Sequence, residues 1–190
     1  MVEALMESAA MERLAQLAAE VPADQVVVEV GTYQAANLVN MALAAKRGHG
    51  AMVHGVDPYG SGDIYRNRPH MLERYTDRDF EIARDHIKAN HVVRQTKIHI
   101  GTSVSVAETW DGPKVGLLVI DGEHRYQPVL DDFYAWAPHL AENAVVVFDD
   151  YGGKVGKEVV TAVAELVKAG RISEPELVGT RMAITGNTPK

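Results

Sequence analysis

The chain alternates short apolar runs with longer amphipathic stretches. The runs VGLLVI at 115–120 and AVVVF at 144–148 lack polar alternation, which is typical of parallel strands buried on both faces. Residues 126–140, between them, have the apolar spacing of a crossover helix. We therefore expect these two strands to be neighbours in one parallel sheet.

The same patterns predict strands and helices that alternate along the whole chain. The predicted strands are 26–30, 52–56, 97–100, 115–120, 144–148, 176–178 and 182–185, and the predicted helices are 1–22, 35–46, 77–90, 103–109, 126–140 and 155–169. This alternation predicts an α/β fold with a Rossmann-like, doubly wound, mostly parallel seven-stranded sheet. The turn around Gly179 is too short for a crossover, so the last two strands should form a C-terminal antiparallel hairpin.

The length of 190 residues predicts a single domain, residues 1–190, that begins with an N-terminal helix at 1–22. Residues 58–76 form the one long irregular stretch, and we expect them to act as a lid loop over an active site. A solvated loop without that role is the alternative. The apolar face of the N-terminal helix exceeds what the sheet requires, which favours a homodimer. The alternative is that this helix folds back over the active site of its own chain.

Two of the apolar runs end at acidic residues. Asp121 follows the first run, and Asp149 and Asp150 follow the second. The carboxyl ends of adjacent parallel strands lie close together, roughly 4.8 Å apart, at the edge where such sheets bind ligands. The three acids can therefore share a hard cation such as Mg²⁺. The alternative is that Asp121 and Asp150 only cap the helices that follow them.

The first strand leads through Glu29 into the turn that begins at Gly31 and Thr32. A dinucleotide site needs a second glycine where this chain has Tyr33, and an acid at Glu29 would repel a pyrophosphate. Asp57 ends the next strand, the position that usually binds ribose hydroxyls. These residues together indicate a nucleoside without phosphates. Taken singly, Glu29 could be a buried structural acid and Gly31 an ordinary turn glycine.

The composition of the chain limits the classes of partner that it can bind. The formal net charge of −7 opposes nucleic acid binding, and the absence of cysteine excludes disulfides and thiol chemistry. The first residues are acidic rather than basic, and no apolar stretch approaches the length of a membrane span. We expect a cytoplasmic protein that acts on a small molecule, without nucleic acid or membrane partners.

The motifs EVGTYQA, VDPYG, IGTS, DGEHRY and DDY resemble those of class I S-adenosylmethionine-dependent methyltransferases. DGEHRYQPVLDD with FDDY resembles the metal-dependent O-methyltransferases related to macrocin O-methyltransferase and the cephalosporin-hydroxylase-type proteins. The resemblance implies that S-adenosylmethionine and Mg²⁺ are cofactors. It places the cofactor against Glu29, Gly31, Thr32, Tyr33, Asp57, Gly101, Thr102, Ser103 and Asp121, and the metal on Asp121, Asp149 and Asp150. In this family a second glycine often stands where this chain has Ala35.

The expected reaction is Mg²⁺-dependent methyl transfer to a hydroxyl of a small acceptor. His124 lies three residues beyond Asp121 and is the candidate general base, with Asp121 beside it in the catalytic set. The alternative for His124 is a hydrogen-bonded loop histidine. The family analogy favours a sugar or glycosylated metabolite as acceptor; a catechol-like phenol is the alternative. A nicotinamide-dependent oxidoreductase and a non-catalytic binding module remain as other classes.

Overall fold

The computed structural model describes residues 6–60, 76–152 and 156–187. Most of the predicted lid loop, 61–75, and the first residues of the predicted N-terminal helix, 1–5, lie outside the described residues. The strands are β1 (Val26–Val30), β2 (Met52–Asp57), β3 (Thr96–Ile100), β4 (Val115–Ile120), β5 (Leu140–Phe148), β6 (Glu176–Val178) and β7 (Met182–Gly186). The helices are α1 (Ser8–Glu20), α2 (Ala36–Arg47), α3 (Asp77–Ala89), α4 (Ser103–Glu108), α5 (Tyr126–Trp136) and α6 (Lys157–Lys168).

The described strands form one seven-stranded sheet in the order β3-β2-β1-β4-β5-β7-β6. Strands β1 to β5 pair in parallel, whereas β7 is antiparallel to both β5 and β6. The predicted fold class and the C-terminal antiparallel hairpin are therefore confirmed. The strand order reverses between β1 and β4, and such a switch point opens a crevice beyond the carboxyl ends of the strands.

Helices cover both faces of the sheet, because β-branched strands without polar alternation must be buried on both sides. One hydrophobic core lies between the sheet and α1, α2 and α3, with Leu14, Leu38 and Met41 fully buried. The second core lies between the sheet and α5 and α6, where Phe133, Trp136 and Leu166 are fully buried. Both cores hold the strand ends that carry the acidic residues in fixed positions.

The border between α5 and β5 differs from the prediction. A continuous helix was expected over 126–140, but α5 ends at Trp136 and a short 3₁₀ turn, Ala137–His139, contains Pro138. Proline cannot donate the backbone hydrogen bond that would continue the helix. Strand β5 then begins at Leu140 instead of 144. Its early residues Glu142 and Asn143 are exposed and polar, so the apolar pattern does not reveal the start of the strand.

Helix α1 packs against α2 of the same chain. Leu14, Leu17 and Ala18 are buried there, and the side-chain amide of Asn40 donates to the carbonyl oxygen of Met11 at 2.8 Å. The apolar face that suggested a homodimer is thus covered within the chain, and the homodimer stays a prediction without that support. None of the described helices has the length and hydrophobicity to cross a membrane.

Candidate active site

Four acidic side chains meet at the carboxyl ends of β1, β2, β4 and β5. Glu29 and Asp149 are almost completely buried, and Asp57 and Asp121 lie beside them. Burial raises the pKa of Glu29 well above its usual range, and Asp57 and Asp149 raise it further. Burial raises the pKa of Asp121 in the same way, with added contributions from Asp149 and Glu29. These carboxyl groups therefore face one another across a shared cleft.

Gly31 brings the chain segments after β1 and β4 into direct contact. Its φ is +87°, and a Cβ atom on this residue would lie 2.2 Å from the carbonyl oxygen of Asp121. The position consequently accepts only glycine. The backbone amide of Gly31 also donates to the carbonyl oxygen of Val56 at 2.9 Å. The ends of β1, β2 and β4 are thus held in contact at this residue.

The turn after Gly31 has an unusual backbone. Tyr33 and Ala35 both lie in the left-handed region, at φ +46° and +65°, which non-glycine residues rarely adopt. A glycine would adopt this conformation at the position of Ala35 without strain, whereas the methyl group of Ala35 is fully buried. Other contacts must therefore compensate for the backbone strain in this turn.

Asp57 supplies part of that support. Its two carboxyl oxygens accept from the backbone amides of Tyr33 at 2.8 Å and Tyr59 at 2.9 Å. Burial raises the pKa of Asp57, while these amides, with that of Thr32, oppose the rise. Each carboxylate oxygen has a second lone pair, so Asp57 can hold the turn and still accept from a ligand.

Several buried polar atoms around this turn have no hydrogen-bond partner among the described residues. They are Glu29 Oε2, Thr32 Oγ1, Asn37 Oδ1 and Tyr59 Oη. Asn37 bridges two of the acids, because its side chain hydrogen-bonds to Glu29 and its Nδ2 donates to Asp121 Oδ2 at 3.2 Å. Buried polar groups are nearly always paired in folded proteins. The cluster has the chemistry of a polar ligand cradle.

Asp121 and Asp149 are close enough to share a hydrogen bond, which requires that one of them carries a proton. Asp150, at φ +50°, lies near this pair, since its charge raises the pKa of both acids. Its Oδ2 lies 3.1 Å from Nε2 of His124, and its Oδ1 lies 2.8 Å from a guanidinium nitrogen of Arg181. The structure thus brings Asp121, Asp149, Asp150 and His124 to one edge of the sheet.

Within residues 6–60, 76–152 and 156–187, no three His, Asp or Glu side chains are already arranged as ligands of one metal ion. The donor chemistry nevertheless suits a hard cation, because the carboxyl groups of Asp121 and Asp149 lie side by side and burial raises the pKa of both. Asp121 and Asp149 can bind such an ion in the positions that they already occupy. Asp150 can bind the same ion while it keeps its contacts with His124 and Arg181, since each carboxylate oxygen has a second lone pair.

The turn after β3 lies next to the acidic cleft, since the Gly101 amide donates to the Asp57 carbonyl oxygen at 3.1 Å. Thr102 caps α4: its Oγ1 accepts from the backbone amide of Ser105 at 3.1 Å. Ser103 is buried, and its Oγ accepts from the indole nitrogen of Trp136 at 3.0 Å. All the residues predicted for the site therefore lie along one edge of the sheet.

Sequence reasoning missed three residues at this edge: Asn37, Asp132 and Arg181. Asp132 carried a detectable signal, because an acid on the otherwise apolar face of α5 breaks the helical pattern. Tyr59 lies at the start of the predicted lid loop, and the structure places it against Asp57. Asn37 and Arg181 carried no such signal, since polar residues in a first helical turn or a hairpin turn are ordinary.

A family model described as a methyltransferase domain matches residues 28–151, which span β1 to the acids after β5. The chain belongs to this methyltransferase family. The resemblance found in the motifs is thereby confirmed, and the choice between a methyltransferase and a nicotinamide-dependent oxidoreductase is decided for the methyltransferase. The left-handed Tyr33 at the place of the second dinucleotide glycine agrees with that outcome.

Solved methyltransferases share this fold at low sequence identity. The O-methyltransferase NovP superimposes with a TM-score of 0.79 at 17% identity, covering 100% of this chain and 84% of NovP. The O-methyltransferase TomG of Streptomyces achromogenes, solved with S-adenosylmethionine, gives a TM-score of 0.71 at 14% identity, with 97% and 82% covered. An O-methyltransferase of Bacillus cereus, solved with S-adenosylhomocysteine, gives 0.71 at 11% identity, with 96% and 82% covered.

A curated relative is the uncharacterized protein R132 of Acanthamoeba polyphaga mimivirus. It is 36% identical over 63 residues, which span 31% of this chain and 28% of that protein. The match thus covers less than a third of either chain, and it does not bear on the activity.

Proposed function

We propose that this methyltransferase transfers the methyl group of S-adenosylmethionine to a hydroxyl oxygen of a small molecule with the help of Mg²⁺. The observation that carries the proposal is the convergence of Glu29, Asp57, Asp121 and Asp149 at the switch point of the sheet. Such a cleft favours a ligand with positive charge, and S-adenosylmethionine carries an ammonium and a sulfonium. A pyrophosphate cofactor would be repelled.

The residues of the first turn suit the methionine and ribose ends of the cofactor. Glu29, with one unpaired buried oxygen, and the turn at Gly31, Thr32 and Tyr33 would hold the amino-acid end. Asp57 would accept from the ribose hydroxyls through its remaining lone pairs. The turn formed by Gly101, Thr102 and Ser103 would lie against the adenine. When bound, the cofactor supplies a methyl group on a sulfonium for in-line displacement.

Asp121 and Asp149 would hold the metal, and Asp150 would complete its protein ligands. A bound Mg²⁺ would orient an acceptor hydroxyl and lower its pKa. The contact of Asp150 with His124 also orients the imidazole, since Nε2 faces the carboxylate at 3.1 Å. Nδ1 of His124 is then the atom that would take the acceptor proton.

The proposed acceptor is a small molecule that carries a hydroxyl group. We favour a sugar or glycosylated metabolite over a catechol-like phenol. CalS11, described as a TDP-rhamnose 3'-O-methyltransferase, shares the fold with a TM-score of 0.63 at 18% identity, covering 93% of this chain and 76% of CalS11. A panel of sugar, glycoside and catechol acceptors, assayed for S-adenosylhomocysteine formation with Mg²⁺ present, decides between the two classes.

Calorimetry with S-adenosylhomocysteine tests the cofactor assignment. Wild type should bind it and should not bind NAD. Asp57→Ala should weaken binding by about tenfold or more, because it removes the ribose acceptor and the support of the turn. The affinity of Asp57→Asn, which keeps one acceptor oxygen, should lie between those of wild type and Asp57→Ala. Asp85→Ala, at an exposed position, serves as control. Equal binding by wild type and Asp57→Ala would remove Asp57 from the site.

Metal removal tests the proposed role of Mg²⁺. After chelation with EDTA, turnover should be lost, and Mg²⁺ should restore it. Asp149→Asn should need a higher Mg²⁺ concentration for half-maximal rate, because it removes one charged ligand. Full activity in verified metal-free protein would leave the three aspartates as helix caps or substrate contacts.

A further inference from the structure

Asp132 is a buried acid that the proposed chemistry does not use. It lies on α5 among Val129, Phe133 and Trp136, and it is 8% exposed. Its neighbour Asp131, by contrast, is exposed and accepts from the side chain of Gln127 at 2.8 Å. Burial raises the pKa of Asp132 to about 7, with smaller contributions from the nearby acids Asp131 and Glu123. Burying a carboxyl group in this way is costly, so its contacts need an explanation.

The contacts of Asp132 link α5 to the two turns at the cofactor end of the cleft. Its carboxyl group lies close enough to the hydroxyl of Ser103, in the turn after β3, for a hydrogen bond that lowers the pKa of Asp132. A Cβ atom on Gly122, in the turn after β4, would lie 3.5 Å from Asp132 Oδ2, so this carboxyl oxygen lies against that turn. One side chain therefore lies beneath both turns.

The donor directions in this group are fixed. The indole nitrogen of Trp136 can only donate, and it donates to Ser103 Oγ at 3.0 Å. The Ser103 hydroxyl is then free to donate its own hydrogen to an ionised Asp132. Trp136 is fully buried. The three side chains are placed for a chain of hydrogen bonds from Trp136 through Ser103 to Asp132, which would hold the first residue of α4 in one orientation.

Helix packing alone does not require this arrangement. A leucine at 132 has the same number of side-chain heavy atoms as aspartate and would pack on the apolar face of α5 without the desolvation cost of a carboxyl group. What a leucine would lose is the directional hold on Ser103. The residue is therefore explained better by the geometry of the turn than by the stability of the core.

We propose that Asp132 is a positioning residue for the adenine end of the cofactor: through Ser103 and its contact with Gly122 it fixes the two turns that flank this end. The inference rests on the proposed function, because that function places the adenine against the turn at Gly101, Thr102 and Ser103. Asp132 itself acts through Ser103 and need not touch the cofactor.

Calorimetry with two ligands that share the adenosine end tests this role: S-adenosylhomocysteine and 5'-methylthioadenosine. Asp132→Leu should lower the affinity for both ligands by a similar factor, about tenfold or more, because both depend on the same turn. Asp132→Asn should stay within about threefold of wild type, since its amide oxygen still accepts from Ser103. Asp131→Asn is the matched control on the exposed side of α5 and should change neither affinity.

Ser103→Ala provides a second variant that removes the other partner, and it should reproduce the loss if Asp132→Leu fails to fold. Wild-type affinity in both Asp132→Leu and Ser103→Ala would overturn the inference, as would a loss confined to S-adenosylhomocysteine or an equal loss in Asp132→Asn. If wild type binds neither ligand, the proposed function fails and this inference fails with it. Binding by wild type with unaffected variants refutes the inference alone.

Discussion

At the scale of single residues, the contacts of Asp150 determine how the catalytic edge can work. One carboxylate oxygen faces His124 and the other faces Arg181, while the buried acids Asp121 and Asp149 lie beside them with raised pKa values. A cation that binds Asp121 and Asp149 would favour their ionised forms. Asp150 thus connects the proposed metal ligands to the proposed base.

We predict that His124→Ala lowers kcat by about 10² to 10⁴ with an identified acceptor, because a positioned general base contributes a factor of this size. Affinity for S-adenosylhomocysteine should change little, since His124 contacts Asp150 rather than the first turn. Steady-state kinetics and calorimetry on the same variant measure both effects. His49→Ala, at an exposed histidine, is the control. A variant that keeps most of its rate would return His124 to a structural role.

The acids at the strand ends could be predicted because a residue's position in a parallel strand fixes the edge at which it lies. Asp121, Asp149 and Glu29 each follow or interrupt an apolar run, and the structure places all three in one cleft. The partners of Asp150 could not be predicted. Arg181 comes from the β6–β7 turn, and its approach depends on β7 pairing with β5.

At the scale of secondary-structure elements, the segment between β1 and α2 is the most constrained part of the site. It combines the close approach of Gly31 to Asp121 with left-handed residues at Tyr33 and Ala35. The sequence predicted a turn here from Gly31, but it gave no sign that Tyr33 and Ala35 would be strained. The amides that Asp57 holds come from another strand end, which a local pattern does not contain.

We predict that Gly31→Ala destabilises the protein by roughly 2 to 4 kcal/mol, since the added Cβ meets a backbone oxygen and the φ is positive. Gly50→Ala separates the two causes: Gly50 has a similar φ, +84°, but open space around its Cβ position. It should cost only about 1 to 2 kcal/mol. Urea titrations of both variants measure the difference, and equal losses would show that the contact with Asp121 is unimportant.

At the scale of the whole molecule, the two faces of the sheet are covered by different sets of helices. Helices α1 and α2 cover one face and close it within the chain, so the α1 surface that suggested a homodimer is occupied. Light scattering at micromolar concentration tests the homodimer, and a monomeric mass would refute it. Helices α5 and α6 cover the other face, where the packing includes the buried acid Asp132.

Asp132 also makes the stability of the whole fold depend on pH. Its pKa is about 7 in the folded chain and near 3.9 for an unfolded aspartate. Between these values the folded state keeps a proton that the unfolded state has lost. The free energy of unfolding therefore falls as pH rises through this window and levels off above the folded pKa.

We predict that Asp132→Asn, which cannot titrate, becomes more stable relative to wild type as pH rises. Between pH 5 and pH 8 the difference in unfolding free energy between the two proteins should shift by about 2 to 3 kcal/mol in favour of the variant, because wild type alone loses its bound proton. Urea titrations at both pH values in EDTA measure this shift. Asp131→Asn, which changes an exposed acid of the same helix, should show no comparable shift. A difference that is the same at pH 5 and pH 8 would mean that Asp132 ionises below this range, and that its carboxylate is better stabilised in the folded chain than its burial implies.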